Sequence, residues 1–436
     1  MTQLLKARNG VITPEMETIL ESEPISRDAL LKGVGDGTIV VLANPAHVKM
    51  GGVPLAIGKG TRIKVNANLG TSQDDYRMAQ EKAKLEASLK AKADTVMDLS
   101  TGGDLNAIRR TLINDCPVPF GTVPIYQAEA DIAARKGSFL DLVAEDLLSV
   151  IENQARDGVD FMTIHAGIRL RGVEHLRSSG RLTGVVSRGG GLLASWMLHH
   201  RRENPLFERF DDVLDICRSH DVTISLGDAL RPGSLHDATD TLQVDELNTL
   251  GDLVLRCRDS GVQSMVEGPG HVPLDQIETN VILQKRLCHG APFYVLGPLV
   301  TDIAAGWDHI TGAIGGALAG WIGVDYLCAV TPAEHLALPS PEEVYAGVMA
   351  FRVAAHAADV ARRFPGAMER DHAMSRARFN LDWDRQIELA MDPHTMKEVR
   401  QERKSETRAC TMCGPYCPMD LVKNLSDDEG SQESSD

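Results

Sequence analysis

Three cysteines fall within eight residues near the end of the chain, in Cys410-Thr-Met-Cys413-Gly-Pro-Tyr-Cys417. A Cys-x2-Cys-x3-Cys run on a turn opened by Gly414 and Pro415 can converge on one soft metal centre. Four thiolates suit a closed zinc site or a fully ligated iron–sulfur cluster. Three on a [4Fe–4S] cluster leave one iron open, which is what an enzyme needs to bind S-adenosylmethionine and hand it an electron. A zinc knuckle completed by a distant His or Cys, or a disulfide with one spare thiol, fits the same spacing.

A second group of chemically capable residues lies further upstream. Ser187-Arg188-Gly189-Gly190-Gly191 reads as a flexible glycine loop whose N–H groups and guanidinium can cradle a phosphate, or as a plain mobile loop. Asp228-Ala229-Leu230-Arg231 offers another guanidinium and a carboxylate for a hydroxyl or amine, or else a salt bridge across a turn. Glu267-Gly-Pro-Gly-His271 and Thr-Pro-Ala-Glu334-His335 supply a carboxylate and two imidazoles. The imidazoles suit a divalent ion such as Zn²⁺ with open positions, although histidines so far apart are commonly packing residues.

These residues need elements to position them. Eight short apolar runs end in polar or glycine residues, and an amphipathic stretch follows each. They are 62–68 (RIKVNAN), 95–100 (TVMDLS), 118–126 (VPFGTVPIY), 161–166 (FMTIHA), 222–228 (VTISLGD), 263–268 (QSMVEG), 293–298 (FYVLGP) and 325–331 (DYLCAVT). The alternation predicts an α/β fold, a (β/α)8 barrel, with Asn66, Asn68, Asp98, Ser100, Tyr126, His165, Asp228 and Glu267 at strand ends, where such barrels place their chemistry. Residues 1–60 read as an N-terminal segment with helices over 14–22 and 27–34 and a glycine-rich stretch over 51–60. The barrel takes 61–340. A helical appendage over 341–408, with long helices at 341–357 and 384–405 and a break at Pro365-Gly366, carries the cysteine loop at 409–420. Residues 421–436 end in an acidic tail read as disordered.

Composition narrows the class. Lys and Arg number 45 against 61 Asp and Glu, a net charge of −16, and five of those negative charges sit in 426–436. The rest stays acidic, so there is no basic footprint for nucleic acid. The other five cysteines, Cys116, Cys217, Cys257, Cys288 and Cys328, are scattered through apolar stretches and read as buried small hydrophobes rather than a disulfide framework. The N-terminus has no apolar core of a signal peptide and no run is long enough to span a membrane, which predicts a cytoplasmic chain.

In order along the chain, VNANLGTS, TVMDLSTGG, PVPFGTVPIYQA, TIHAG, GVVSRGG, SLGDALRPGS, EGPGHVP, APFYVLGPLVTDIA, TPAEHL and CTMCGPYC resemble the radical S-adenosylmethionine family of thiamin pyrimidine synthase. The resemblance spans roughly residues 10 to 420. It implies a radical carbon–carbon lyase acting on 5-aminoimidazole ribotide, with a [4Fe–4S] cluster, S-adenosylmethionine and a second divalent metal, zinc above all. A flavodoxin- or ferredoxin-type reductant and a homodimer are implied with it. By the same resemblance Asn68, Met97, Tyr126, His165, Ser187, Arg188, Gly189, Asp228, Ala229, Leu230, Arg231, Glu267 and Tyr294 contact substrate, with Glu267 also catalytic. His271 and His335 hold the second metal, and Cys410, Cys413 and Cys417 the cluster.

Four positions depart from the thiamin pattern, which typically reads Pro, Tyr and Ser where this chain has Ala305, Trp307 and Gly312, and Gly where it has Ala229. Changes gathered beside the seventh strand predict a reshaped site and a different product. The expectation is therefore the paralogue's product, 5-hydroxybenzimidazole of anaerobic cobalamin biosynthesis, with hydroxymethylpyrimidine phosphate as the alternative. A non-catalytic barrel that binds a ribotide or a metal is the third reading.

Overall fold

The computed structural model describes residues 1–423. The acidic stretch 426–436 lies outside the described residues. Contacts divide the chain into two compact units, Met1–Asp359 and a second from Val360 onward.

The first unit is a closed barrel of eight parallel strands. After the antiparallel pair β1 (Ile39–Leu42) and β2 (Leu55–Gly58) come the barrel strands β3 (Lys64–Leu69), β4 (Thr95–Asp98), β5 (Phe120–Thr122), β6 (Phe161–Ile164), β7 (Thr223–Leu226), β8 (Ser264–Gly268), β9 (Phe293–Leu296) and β10 (Tyr326–Cys328). They pair in chain order, and β10 closes on β3 with Tyr326 opposite Lys64. All eight predicted runs are strands, each with ends no more than four residues from those predicted. The first, for instance, is 64–69 rather than 62–68. Tyr126 is the exception in kind. Pro124 occupies the first turn of helix Pro124–Ala134, so Tyr126 projects from a helix start and not from a strand.

Register decides which side chains share a layer. Thr163 lies opposite Ser225, Glu267 opposite Tyr294, and Asn68 opposite Met97. Because parallel neighbours at equal height point the same way, these residues collect at one end of the barrel. The opposite end is plugged by the N-terminal segment. Gln263 exchanges hydrogen bonds with both backbone groups of Val41, and Asn44 donates its N–H to Asp160 at 2.8 Å. Lys64, wholly buried, reaches Glu23 at 2.7 Å. The glycine-rich stretch predicted over 51–60 contains β2, a strand of only four residues whose short apolar run is hidden among glycines.

In the second unit, Gly366 at φ +84° starts helix Ala367–Phe379 after the predicted break. The long helix predicted over 384–405 is two helices, Trp383–Leu389 and Pro393–Glu402. Asp392 caps the second through the Thr395 N–H, and Pro393 cannot continue the first. No helix among the described residues is long and apolar enough to cross a membrane.

Candidate active site

At the C-terminal end of the strands lies a cavity of about 130 Å³, open on one side. Glu267 stands in its wall. Its Oε1 accepts the hydroxyls of Thr163 at 2.6 Å and Ser225 at 2.7 Å, which fixes the carboxyl and leaves Oε2 free of those bonds. Burial raises its pKa above the usual carboxylate value, opposed by the two hydroxyls and by Arg231. Tyr294 stacks on Tyr326 with ring centroids 4.0 Å apart, and burial pushes both phenols well up. Asn68 points its amide at the Cys328 sulfur, 3.1 Å away, and burial drives that thiol up to about 11, so it stays neutral.

His165 follows β6. Burial, with Arg231 adding to it, drives its pKa down to about 3 and keeps the ring neutral. Its Nε2 lies 3.2 Å from the Ser187 hydroxyl, whereas buried Nδ1 has no partner among the described residues. Asp228 pairs through Oδ1 with Arg231 at 3.3 Å, and its buried Oδ2 likewise has no partner among the described residues. Burial pushes Asp228 well above the usual carboxylate value. Both residues line the cavity. Buried polar atoms left open beside a cavity mark places where a ligand completes the hydrogen bonding.

Ser187 to Gly191 is not a flexible loop. Ser187 caps helix Arg188–His200 by accepting the Gly190 N–H at 3.1 Å, and the three glycines form the first turn. A Cβ on Gly189 would stand 2.6 Å from the His165 ring, and one on Gly190 2.5 Å from the Ala229 carbonyl oxygen. The glycines therefore let a helix N-terminus, with its unpaired N–H groups, press against the strand ends. Arg188 is exposed and lies over the Tyr126 ring at 4.8 Å.

A wider cavity adjoins the first, sharing Asn68, Leu99 and Glu334, and it is lined by Arg188, Thr71, Ser72 and His335 among others. The two candidate phosphate arginines thus face neighbouring chambers rather than one. Ala229 and Leu230, fully buried, line neither; their N–H groups go to Glu246 at 3.0 and 2.6 Å.

His271 and His335 come together with ring centroids 5.2 Å apart. Each turns Nδ1 to a carboxylate, Asp302 and Asp308 respectively, at 2.8 Å. That second contact fixes the tautomer and turns Nε2 outward, the usual support of a metal-binding histidine. The donor set fits a divalent ion that keeps positions for other ligands. Among the described residues no third His, Cys, Asp or Glu completes a cage.

In the second unit Cys410, Cys413 and Cys417 are all free thiols. Backbone N–H groups of Met412 and Cys413 lower the Cys410 pKa, which favours the thiolate a metal needs. Trp383 donates to the Arg408 carbonyl at 2.8 Å and Arg400 stacks on Trp383 at 4.1 Å, tethering the start of the loop. Donor chemistry and spacing fit an iron–sulfur cluster, and the three sulfurs are not already gathered into a cage.

Thr163, Ser225, Glu246, Glu334, Asp302 and Asp308 were given no role in the sequence reading, whereas Cys328, read as a buried small hydrophobe, is buried and also lines the cavity. Strand alternation signals one of them, since Thr163 lies two residues from His165 on the same face, and Glu334 directly precedes His335. Asp302 and Asp308 lie in the very loop singled out for other reasons.

The family model described as "Radical SAM ThiC family" matches residues 2–424. A phosphomethylpyrimidine synthase of Thermus thermophilus is 54% identical over 433 residues, covering 99% of each chain. That of Desulforudis audaxviator is 56% identical over 423 residues, 97% of this chain and 98% of its own. These relatives overturn the expectation of a benzimidazole product, and the structure gives the reason. None of the four departing positions lines either cavity. Ala305 and Trp307 are exposed. Gly312 faces Phe351 and Val330 inside the fold, and Ala229 is sealed beneath Gly190.

Proposed function

We propose, from the premise that this chain belongs to the Radical SAM ThiC family, that it converts 5-aminoimidazole ribotide to hydroxymethylpyrimidine phosphate for thiamin biosynthesis. The observation that carries the reading is the pair of open buried atoms, His165 Nδ1 and Asp228 Oδ2, set beside Arg231 and Glu267 in the barrel-end cavity. A small polar substrate with donors and acceptors on several edges is what such a wall binds. Neutral His165 can donate or accept at Nδ1 without adding charge. Glu267, oriented by two hydroxyls, accepts a proton or hydrogen bond from a ring or amine nitrogen. The Ser187–Gly191 helix start and the planar fork of Arg188 suit the phosphate in an otherwise acidic chain.

Cys410, Cys413 and Cys417 would hold the [4Fe–4S] cluster, and His271 and His335 a divalent ion such as zinc. When bound, cluster and S-adenosylmethionine supply a one-electron cleavage that starts radical chemistry, with the electron coming from a flavodoxin- or ferredoxin-type donor. The protein's part is to bind, orient and exclude water. We also read the enzyme as a homodimer. Helix Asp308–Ile322 exposes Ile310, Ile314 and Trp321 along one side, an apolar stripe for a second copy to cover. Sedimentation equilibrium should give twice the chain mass, and a monomer at working concentration would overturn that part.

The test is an anaerobic incubation of reconstituted enzyme with the ribotide, S-adenosylmethionine and reductant, followed by chromatography and mass analysis. The expected product is hydroxymethylpyrimidine phosphate. Intact ribotide, with S-adenosylmethionine cleaved or not, would refute the assignment.

A further inference from the structure

The peptide that carries Asp228 and Arg231 is gripped from two sides. Glu246, on helix Thr241–Asp259, accepts the Ala229 N–H at 3.0 Å and the Leu230 N–H at 2.6 Å, one on each carboxyl oxygen. Arg181 donates to the Leu230 carbonyl at 2.5 Å. The Arg181 side chain is 1% exposed, and Asp240 holds it through two hydrogen bonds of 2.7 and 2.9 Å. A further bond goes to the Gly184 carbonyl at 3.0 Å. Asp240 is itself the N-cap of the helix that bears Glu246, accepting the Gln243 N–H at 2.9 Å. Both grips are therefore referenced to one rigid element.

We propose that Arg181 and Glu246 form a positioning clamp on the Ala229–Leu230 peptide that sets Asp228 and Arg231 for substrate. This rests on reading Asp228 and Arg231 as substrate-binding residues. Two ionisable side chains are almost wholly withdrawn from water here, yet neither lines the main cavity and both spend hydrogen bonds on a two-residue stretch of backbone. Burying charge is a poor source of stability. Burial raises the Glu246 pKa to about 8, opposed by the two backbone N–H groups, so the grip does not depend on its charge. Holding a binding loop to a fraction of an ångström is what two-point contacts do well, because they fix direction as well as distance. Neither Arg181 nor Glu246 touches the reacting atoms; they act through the loop.

The experiment uses the full-length, reconstituted enzyme with Glu246→Gln, Arg181→Lys, the double variant, Asp240→Asn and Arg231→Lys. Gln keeps the shape of Glu246 but turns an NH₂ toward one of the two N–H groups. Lys keeps the charge of residue 181 but not the fork. Each should raise the ribotide KM by roughly ten- to a hundredfold, the worth of a hydrogen bond to a charged group, while the KM for S-adenosylmethionine holds. Each also leaves a buried group short of a partner, so some loss of melting temperature accompanies the KM effect and does not replace it. The double variant should be far less than multiplicative, since either loss already frees the same peptide. Asp240→Asn retains a good N-cap and should shift the ribotide KM in the same direction by less, which covers the case of a poorly folding Arg181 variant. A lowered melting temperature or kcat with the ribotide KM unchanged in both jaw variants would make them structural and overturn the clamp. If Arg231→Lys alone raises the KM, only the clamp falls. If Arg231→Lys leaves it unchanged too, the reading of the site falls and takes the clamp with it.

Discussion

A single carboxyl shows how burial and hydrogen bonding compete. Glu267 is pushed up by burial and held back by Thr163, Ser225 and Arg231. Each hydroxyl favours the charged form, so removing one must raise the pKa further. Thr163→Val, nearly the same shape, should move the acid limb of the pH–rate profile to higher pH, by at most about one unit for one neutral hydrogen bond. Turnover measured across the acid range checks this; a limb that stays put or moves down would remove Glu267 from the ionisation that limits the rate. Cys413 tests a second residue. Its loss leaves two thiols, so Cys413→Ala should lose the iron and acid-labile sulfide of the reconstituted protein along with S-adenosylmethionine cleavage. Cluster-loaded variant protein that still cleaves S-adenosylmethionine would place the ligands elsewhere.

Among the elements, helix Arg188–His200 does most to shape the site. Its first turn is made of glycines for two different reasons. At Gly190 a Cβ would meet the Ala229 carbonyl at 2.5 Å, whereas at Gly191 nothing lies within 4 Å. Gly190→Ala should therefore push the helix start off the loop, costing about 1–3 kcal/mol by overpacking and raising the ribotide KM. Gly191→Ala should be neutral or stabilise by up to about 1 kcal/mol through helix propensity. Thermal melts and ribotide kinetics on the pair separate packing from flexibility, and equal behaviour of the two variants would contradict the close approach. The contrast also marks what sequence can carry. The barrel was legible because period and punctuation recur eight times and each apolar run must be buried. That His165, Asp228 and Glu267 share one cavity wall was legible from their place at run ends. Gly189 and Gly190 were read as freedom when they provide clearance, since only the third dimension puts His165 beside the one and Ala229 beside the other. The same limit misdirected the product: Trp307 and Gly312 neighbour the site in sequence yet face solvent and core.

At the scale of the molecule, the N-terminal hairpin is joined to the barrel through a buried pair far from the chemistry, at the plugged end. His47, on helix Pro45–Lys49 between β1 and β2, directs Nδ1 to Asp160 at 2.6 Å and Nε2 to the Cys116 carbonyl at 2.8 Å. Asp160 also accepts the Asn44 and Phe120 N–H groups, tying the N-terminal hairpin to the starts of β5 and β6. A ring with acceptors on both nitrogens is served best as the cation. Burial, the largest influence on it, lowers the His47 pKa, but the Asp160 hydrogen bond and charge and the Cys116 carbonyl outweigh it and the net shift is upward. A histidine raised on folding contributes stability that is fully present below its unfolded value, about 6.5, and is lost as pH rises through the folded one. His47→Gln cannot carry that charge. The melting temperature of the wild type should therefore exceed that of the variant most at about pH 6, and the gap should narrow steadily on the alkaline side. Other buried groups titrate across the same range, among them Asp221, pushed up by burial to about 7, but they are common to both proteins and cancel in the difference. Parallel curves from acid to alkaline pH would mean that His47 is neutral in the fold and that the hairpin is held by shape and neutral hydrogen bonds alone.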